Sequence, residues 1–136
     1  IKDNIVTINK RFIHMEVCNL IIPKIGDSVE KCRELAEFLV DLNPNIPLHL
    51  LQFYPDESFP DLEATPLSTL ERCAEEAIRA GLRYVYLSNV PENRFLNTYC
   101  YNCQETLIKR TLFETLENVV KENRCPFCGF KIKLIV

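Results

Sequence analysis

The chain has 136 residues, 47% of them hydrophobic, and a formal charge of -3 at pH 7. That length fits one ordinary domain, or a modest domain with a small appendage, and the apolar content excludes wholesale disorder. The acidic balance argues against a dedicated binder of nucleic acid or of anionic membrane. No apolar run approaches the ~20 residues that a membrane-spanning helix needs, so no membrane partner is expected. The opening residues lack the charged, apolar, small-residue order of a secretory leader. The start on Ile1 rather than Met raises the expectation of a longer parent chain.

In chain order, Ile5 and Ile8 recur at helical spacing, so residues 1–10 read as the end of a helix. Ile13 to Ile22 is β-branched and apolar and stops at Pro23, the pattern of a buried strand. Asp27 or Ser28 then caps a helix running to about Leu42, with Glu30 three residues after Asp27 in the manner of a capping box. Its apolar stripe is Cys32, Leu35, Ala36 and Leu39. Pro47 to Tyr54 reads as a second strand, followed by a proline-rich acidic loop. Thr65-Pro66 has the form of an N-cap with proline at the first helical position. Leu67, Leu70, Ala74, Ala77 and Ile78 form the inner face of the next helix, and Gly81 ends it. Arg83 to Ser88 is the third strand.

Strands alternating with helices of roughly this length imply right-handed crossovers and a parallel sheet. Three strands make a thin sheet, so half of a barrel or of a doubly wound sheet is expected to lie outside these residues. After a boundary near residues 91–97, the pattern loses helical periodicity. Residues 99–136 carry a net +2 and residues 1–98 a net -5. The mild basicity of the tail falls short of a phosphate-gripping stripe, so no nucleic-acid partner is expected.

The cysteines are polarised along the chain. Cys18, Cys32 and Cys73 stand alone in apolar patterns and read as small buried hydrophobes. Cys100 with Cys103 and Cys125 with Cys128 form two C-x-x-C pairs separated by 21 residues. Each pair lies on a tight turn that presents two thiolates, and two such turns complete a tetrahedron. Four thiolates leave no open position on a metal, which makes the site structural, with zinc the leading ion. Iron in the same geometry and a thioredoxin-like redox pair are the alternatives. An odd cysteine count with paired C-x-x-C motifs fits a reducing, cytoplasmic setting. The second pair (Cys125-Pro126-Phe127-Cys128-Gly129) carries both proline and glycine; the first (Cys100-Tyr101-Asn102-Cys103-Gln104) carries neither and is the weaker by pattern.

His14 and His49 have no partner at ligand spacing and read as surface or satisfied core residues. Asp56, Glu57 and Asp61 read as a solvated loop. Glu16, in the first strand and on the face of Cys18 and Leu20 by alternation, needs a partner if buried.

Several segments carry a family resemblance: Glu16 to Pro23 followed by Asp27-Ser28; His49 to Asp56; Thr65 to Arg72; Ala80 to Pro91; and Asn97 to Cys100. Together they resemble radical S-adenosylmethionine (SAM) enzymes related to the pyruvate formate-lyase activating enzymes. Among these they are most similar to the radical SAM component of the AmmeMemoRadiSam system. The resemblance implies an α/β fold, with residues 1–92 forming the carboxyl-terminal part of a partial (β/α)6 barrel. Residues 98–136 would form a four-cysteine, rubredoxin-like zinc ribbon. It implies that Ile21, Ile22, Gln52 and Tyr54 lie nearest SAM. Tyr54 stands where related activating enzymes often carry a histidine. The family's [4Fe-4S] cluster sits on a C-x-x-x-C-x-x-C loop that this sequence does not contain. The resemblance therefore implies a segment inactive alone, in a protein that acts on an undetermined, perhaps protein, substrate. The other expectation is a non-catalytic module whose ribbon offers Tyr101, Phe127 and Arg110 to a protein partner.

Overall fold

The computed structural model describes residues 1–133; the last three residues of the apolar stretch closing the chain lie outside them. The chain divides into two compact units, Ile1–Ser88 and Asn89–Val136. The first contains helix α1 (Lys2–Lys10), strand β1 (Val17–Ile21), helix α2 (Val29–Leu42), strand β2 (Leu48–Gln52), helix α3 (Leu67–Ala80) and strand β3 (Val85–Ser88). Its sheet has the order β1-β2-β3, all parallel. Cys18 pairs with His49 and His49 with Tyr86; one row onward, Leu20, Leu51 and Ser88 line up.

Helices α2 and α3 supply the apolar layer for one face of this sheet. Cys32, Ala36 and Leu39 of α2 and Leu70, Cys73, Ala74 and Ala77 of α3 are buried, together with Ile21, Leu48, Leu50, Val85 and Leu87 from the strands. The other face stays open: Cys18 is exposed and Leu20 retains 44% of its surface. Two expectations change accordingly. The strand is shorter than Ile13–Ile22 and buried on one side only, and Cys18 is an exposed thiol rather than a core residue. Alternation decides this, because one strand cannot present all its apolar residues to a single helical layer. Glu16 precedes β1 and is itself exposed.

The helix ends follow local chemistry. Ser28, not Asp27, caps α2, its hydroxyl accepting from the Lys31 N–H at 3.1 Å. The anticipated pairing of Asp27 with Glu30 therefore loses its geometry. Gly81 closes α3 at φ 114°, a left-handed conformation that disfavours any side chain. Leu67 and Ile78 lie at the margins of α3 and stay 41% and 47% exposed. Cys73 and Glu76 take places on the buried side instead.

Glu76 is nearly buried and binds two cations. Its carboxylate accepts from the Arg33 Nε–H at 2.9 Å, from the Arg33 Nη2 group, and from Arg79 one turn along α3. The Arg33 hydrogen bonds hold its carboxyl below the usual value of 4.5. A group with a depressed folded pKa stabilises the fold above its unfolded pKa and loses that contribution as pH falls through the folded value. Glu76→Gln is therefore expected to lower the melting temperature at pH 7. That deficit should shrink as pH drops below about 4.5. Thermal melts of both proteins across that range check it, and a deficit independent of pH would contradict the ion-pair account.

The second unit contains a single 3-10 turn (Arg94–Leu96) and strands β4 (Thr98–Tyr99), β5 (Thr106–Arg110) and β6 (Thr115–Asn118). They form an antiparallel sheet in the order β4-β5-β6. Phe95, Leu107, Ile108 and Ile132 supply a small core, joined by Cys100 and Cys125. Arg110 anchors β5, its backbone N–H donating to Asn97 Oδ1 at 2.9 Å and its guanidinium to the Thr98 hydroxyl at 2.7 Å.

Candidate metal centre

The two C-x-x-C segments fold into matching turns. In each, the first cysteine's N–H donates to the carbonyl five residues on, Cys100 to Glu105 and Cys125 to Phe130, both at 2.9 Å. The residue after the second cysteine closes the turn back onto the first cysteine's carbonyl, Gln104 at 2.8 Å and Gly129 at 2.9 Å. Both closing residues are left-handed, at φ 63° for Gln104 and 75° for Gly129. The turn that lacks glycine in sequence thus adopts the same backbone, with a side chain where glycine is preferred. Gln104→Gly is expected to stabilise this unit by about 1 kcal/mol, the approximate cost of a left-handed side chain less glycine's entropy. Chemical denaturation of the metal-loaded protein measures it, and a loss of stability would contradict it.

The four sulfurs gather to within 4.8 Å of one another. Cys100 and Cys128 Sγ stand 3.7 Å apart, as do Cys103 and Cys125 Sγ. That is far beyond the ~2.05 Å of a disulfide. It matches the ~3.8 Å edge of a tetrahedron whose metal–sulfur bonds are ~2.3 Å. The donor set can hold one metal ion. The first cysteine of each turn is buried, Cys100 at 0% and Cys125 at 1% exposed, while Cys103 and Cys128 lie toward solvent.

The surroundings favour negative charge on one sulfur in particular. The Phe130 backbone N–H, with the Asn102 amide at 3.5 Å, draws the Cys128 thiol down to about 6. At Cys103 the Glu105 backbone N–H pulls the same way, but burial and three neighbouring sulfurs outweigh it and push that thiol up to about 12. Four adjacent thiols cannot all ionise without a cation to offset their repulsion. Aromatic packing ties the turns together: Tyr101 meets Phe130 edge to face at 4.9 Å and donates to the Lys131 carbonyl at 2.9 Å. Spacing identified the sulfurs; nothing in the sequence pattern marked Asn102, Tyr101 or Phe130 as their supports.

The four residues expected near SAM lie at the carboxyl ends of β1 and β2. Ile21 and Gln52 are register partners. The Gln52 amide donates to the Thr65 carbonyl at 2.8 Å, and its Oε1 accepts from the Tyr54 hydroxyl at 2.6 Å. Tyr54 is 53% exposed, whereas Ile21 is fully buried among the helix contacts and Ile22 is half-buried. The structure thus brings Gln52 and Tyr54 together and turns Ile21 away from solvent. Among the described residues, no helix is long and apolar enough to cross a membrane.

No family model matches the chain. It is similar to the uncharacterized protein MJ0808 of Methanocaldococcus jannaschii, 39% identical over 127 residues. The match covers 91% of this chain and 38% of that protein, so the chain spans well under half the length of this relative.

Proposed function

We propose that the chain is the carboxyl-terminal portion of a radical SAM protein related to the pyruvate formate-lyase activating enzymes, of the AmmeMemoRadiSam type. In this reading it contributes part of the wall of a partial (β/α)6 barrel and a structural zinc ribbon. The observation that carries the reading is the half-covered sheet. β1, β2 and β3 are parallel and sequential, with helices on one face and an open opposite face. Parallel sheets are ordinarily covered on both faces, and in a barrel the second face is the interior, filled from the other strands. Similarity to a minor part of a much longer relative supports the same view.

Gln52 and Tyr54 sit at the carboxyl edge, where α/β sheets place their chemistry. There the hydrogen-bonded pair presents an aromatic ring and an amide suited to a nucleoside. In the parent protein a [4Fe-4S] cluster, held by a C-x-x-x-C-x-x-C loop, supplies the 5′-deoxyadenosyl radical from SAM. This sequence lacks that loop, so the chain alone is inactive. The test is the reading frame upstream of Ile1. A C-x-x-x-C-x-x-C motif there is the expected result, and a natural start at this point overturns the enzyme reading.

Zinc is the ion assigned to the four-thiolate site, because a closed thiolate set offers structure and no catalytic position. Elemental analysis of protein purified without added metal is expected to give about one zinc per chain. Iron in its place overturns the zinc assignment, and four freely titrating thiols overturn the site.

The second reading, a non-catalytic interaction module, rests on apolar side chains displayed by the second unit. Phe113 is 93%, Leu116 63% and Phe127 59% exposed. Of the three residues expected on that surface, Phe127 is the one that projects. Tyr101 and Arg110 are engaged within the unit. A natural start at Ile1 together with a bound zinc favours this reading over the first.

A further inference from the structure

Away from the cysteines, three side chains 35 positions apart in sequence converge beside the open face of the parallel sheet. His14 Nε2 lies 3.2 Å from Glu16 Oε1, and His49 Nε2 lies 2.7 Å from Glu16 Oε2. His14 and Glu16 belong to the segment before β1; His49 is the second residue of β2. The His49 ring stacks on Tyr86 of β3 with centroids 5.2 Å apart, which fixes the plane of the imidazole.

We propose that His14, Glu16 and His49 form a second divalent-metal site, of the two-imidazole, one-carboxylate class. It is independent of the cysteine centre and of the barrel reading. The donor set is one that zinc, nickel, copper and ferrous iron all accept. Metal–ligand bonds of ~2.1 Å place neighbouring donors ~3.0 Å apart around an octahedral ion and ~3.4 Å apart around a tetrahedral one. The observed 2.7 and 3.2 Å fall close to those edges. The same spacing serves ordinary hydrogen bonds, so an ion here replaces two imidazole–carboxylate contacts with bonds to the same atoms.

Accessibility favours the exchange. The side chains of His14 and Glu16 are 46% and 48% exposed and that of His49 23% exposed, which leaves an entry path. The imidazoles approach different oxygens of the carboxylate, so these donors are spread more widely than the four sulfurs. His14, on an exposed segment without regular structure, is the ligand free to swing inward. Cys18, the register neighbour of His49 on the same open face, is positioned to serve as a further donor. The site lies at the amino edge of the sheet, opposite the edge that carries Gln52 and Tyr54. Its role is therefore accessory or structural.

The test is calorimetric titration of zinc chloride, at neutral pH, into the full chain with its cysteine site already loaded. One additional ion per chain is the expected result. His14→Ala and His49→Ala should each weaken that second event at least about tenfold while retaining the first zinc. His14 is exposed and buries no core surface, so an unchanged circular dichroism spectrum for its variant separates ligand loss from unfolding. Absence of a second event overturns the proposal. So does a second event that survives in either variant. The absence of an upstream cysteine motif would leave these outcomes unaffected.

Discussion

Cys125→Ala is expected to abolish metal binding and unfold the Asn89–Val136 unit while the Ile1–Ser88 unit keeps its structure. The second unit's core is small, built around Phe95, Leu107, Ile108 and Ile132 with two of the cysteines. A segment this short seldom buries enough surface to fold unaided. Structural zinc contributes on the order of 10–16 kcal/mol to comparable small modules at neutral pH, more than the whole stability of most domains. Losing one of four ligands forfeits most of that, and Cys125 is also 1% exposed and part of the core. The first unit has its own apolar layer between α2, α3 and the sheet, which contains none of these residues. Metal analysis with amide hydrogen exchange distinguishes the outcomes. Protection should vanish for Leu107 and Ile108 and persist for Leu50 and Leu87. Simultaneous loss in both units would show that they do not fold separately.

Thr65→Val is expected to destabilise the first unit by about 2–4 kcal/mol, the cost of leaving two buried backbone groups unsatisfied. Thr65 is fully buried, and its hydroxyl donates to the Ile21 carbonyl at the end of β1 while accepting from the Phe53 N–H just beyond β2 at 3.2 Å. Its own N–H donates to the Phe53 carbonyl at 3.1 Å. One side chain thus ties together the carboxyl ends of two strands and the entry to α3. Valine keeps the shape and removes the hydroxyl, so packing loss cannot account for the effect. Thr65→Ser, which keeps the oxygen, is expected to recover most of the stability. Urea denaturation of the three proteins provides the measurement. A valine variant within about 0.5 kcal/mol of wild type, as surface substitutions usually are, would remove Thr65 from this role.

Thr65 also marks where local reading stops. Its sequence context, a threonine before proline at a helix start, suggested an N-cap. In the structure Pro66 occupies the cap position, with no side-chain cap, and the threonine faces inward to two strands. Local propensity was sound; the competing long-range carbonyl and amide were invisible to it. His14 and His49 repeat the lesson. They have no partner at helical or turn spacing, yet parallel pairing of β1 with β2 carries His49 to Glu16 across 33 positions. Glu16 did need partners, but as a half-exposed carboxylate beside the strand rather than a buried one within it.

By itself, the sequence determined the elements whose signals are short-ranged. Apolar period and terminal residues located α2, α3 and the three parallel strands, with Gly81 as the stop for α3. Spacing alone singled out Cys100, Cys103, Cys125 and Cys128 as one cluster, because a C-x-x-C turn sets two sulfurs side by side whatever surrounds it. Tertiary structure decided everything that depends on which face meets which layer. It left Cys18 and Leu20 on an open sheet face, enclosed Glu76 between two arginines, and imposed on Gln104 the same left-handed turn as Gly129. The physical reason is range: turns and periods are fixed within a few residues, whereas burial and pairing are fixed by segments tens of residues away.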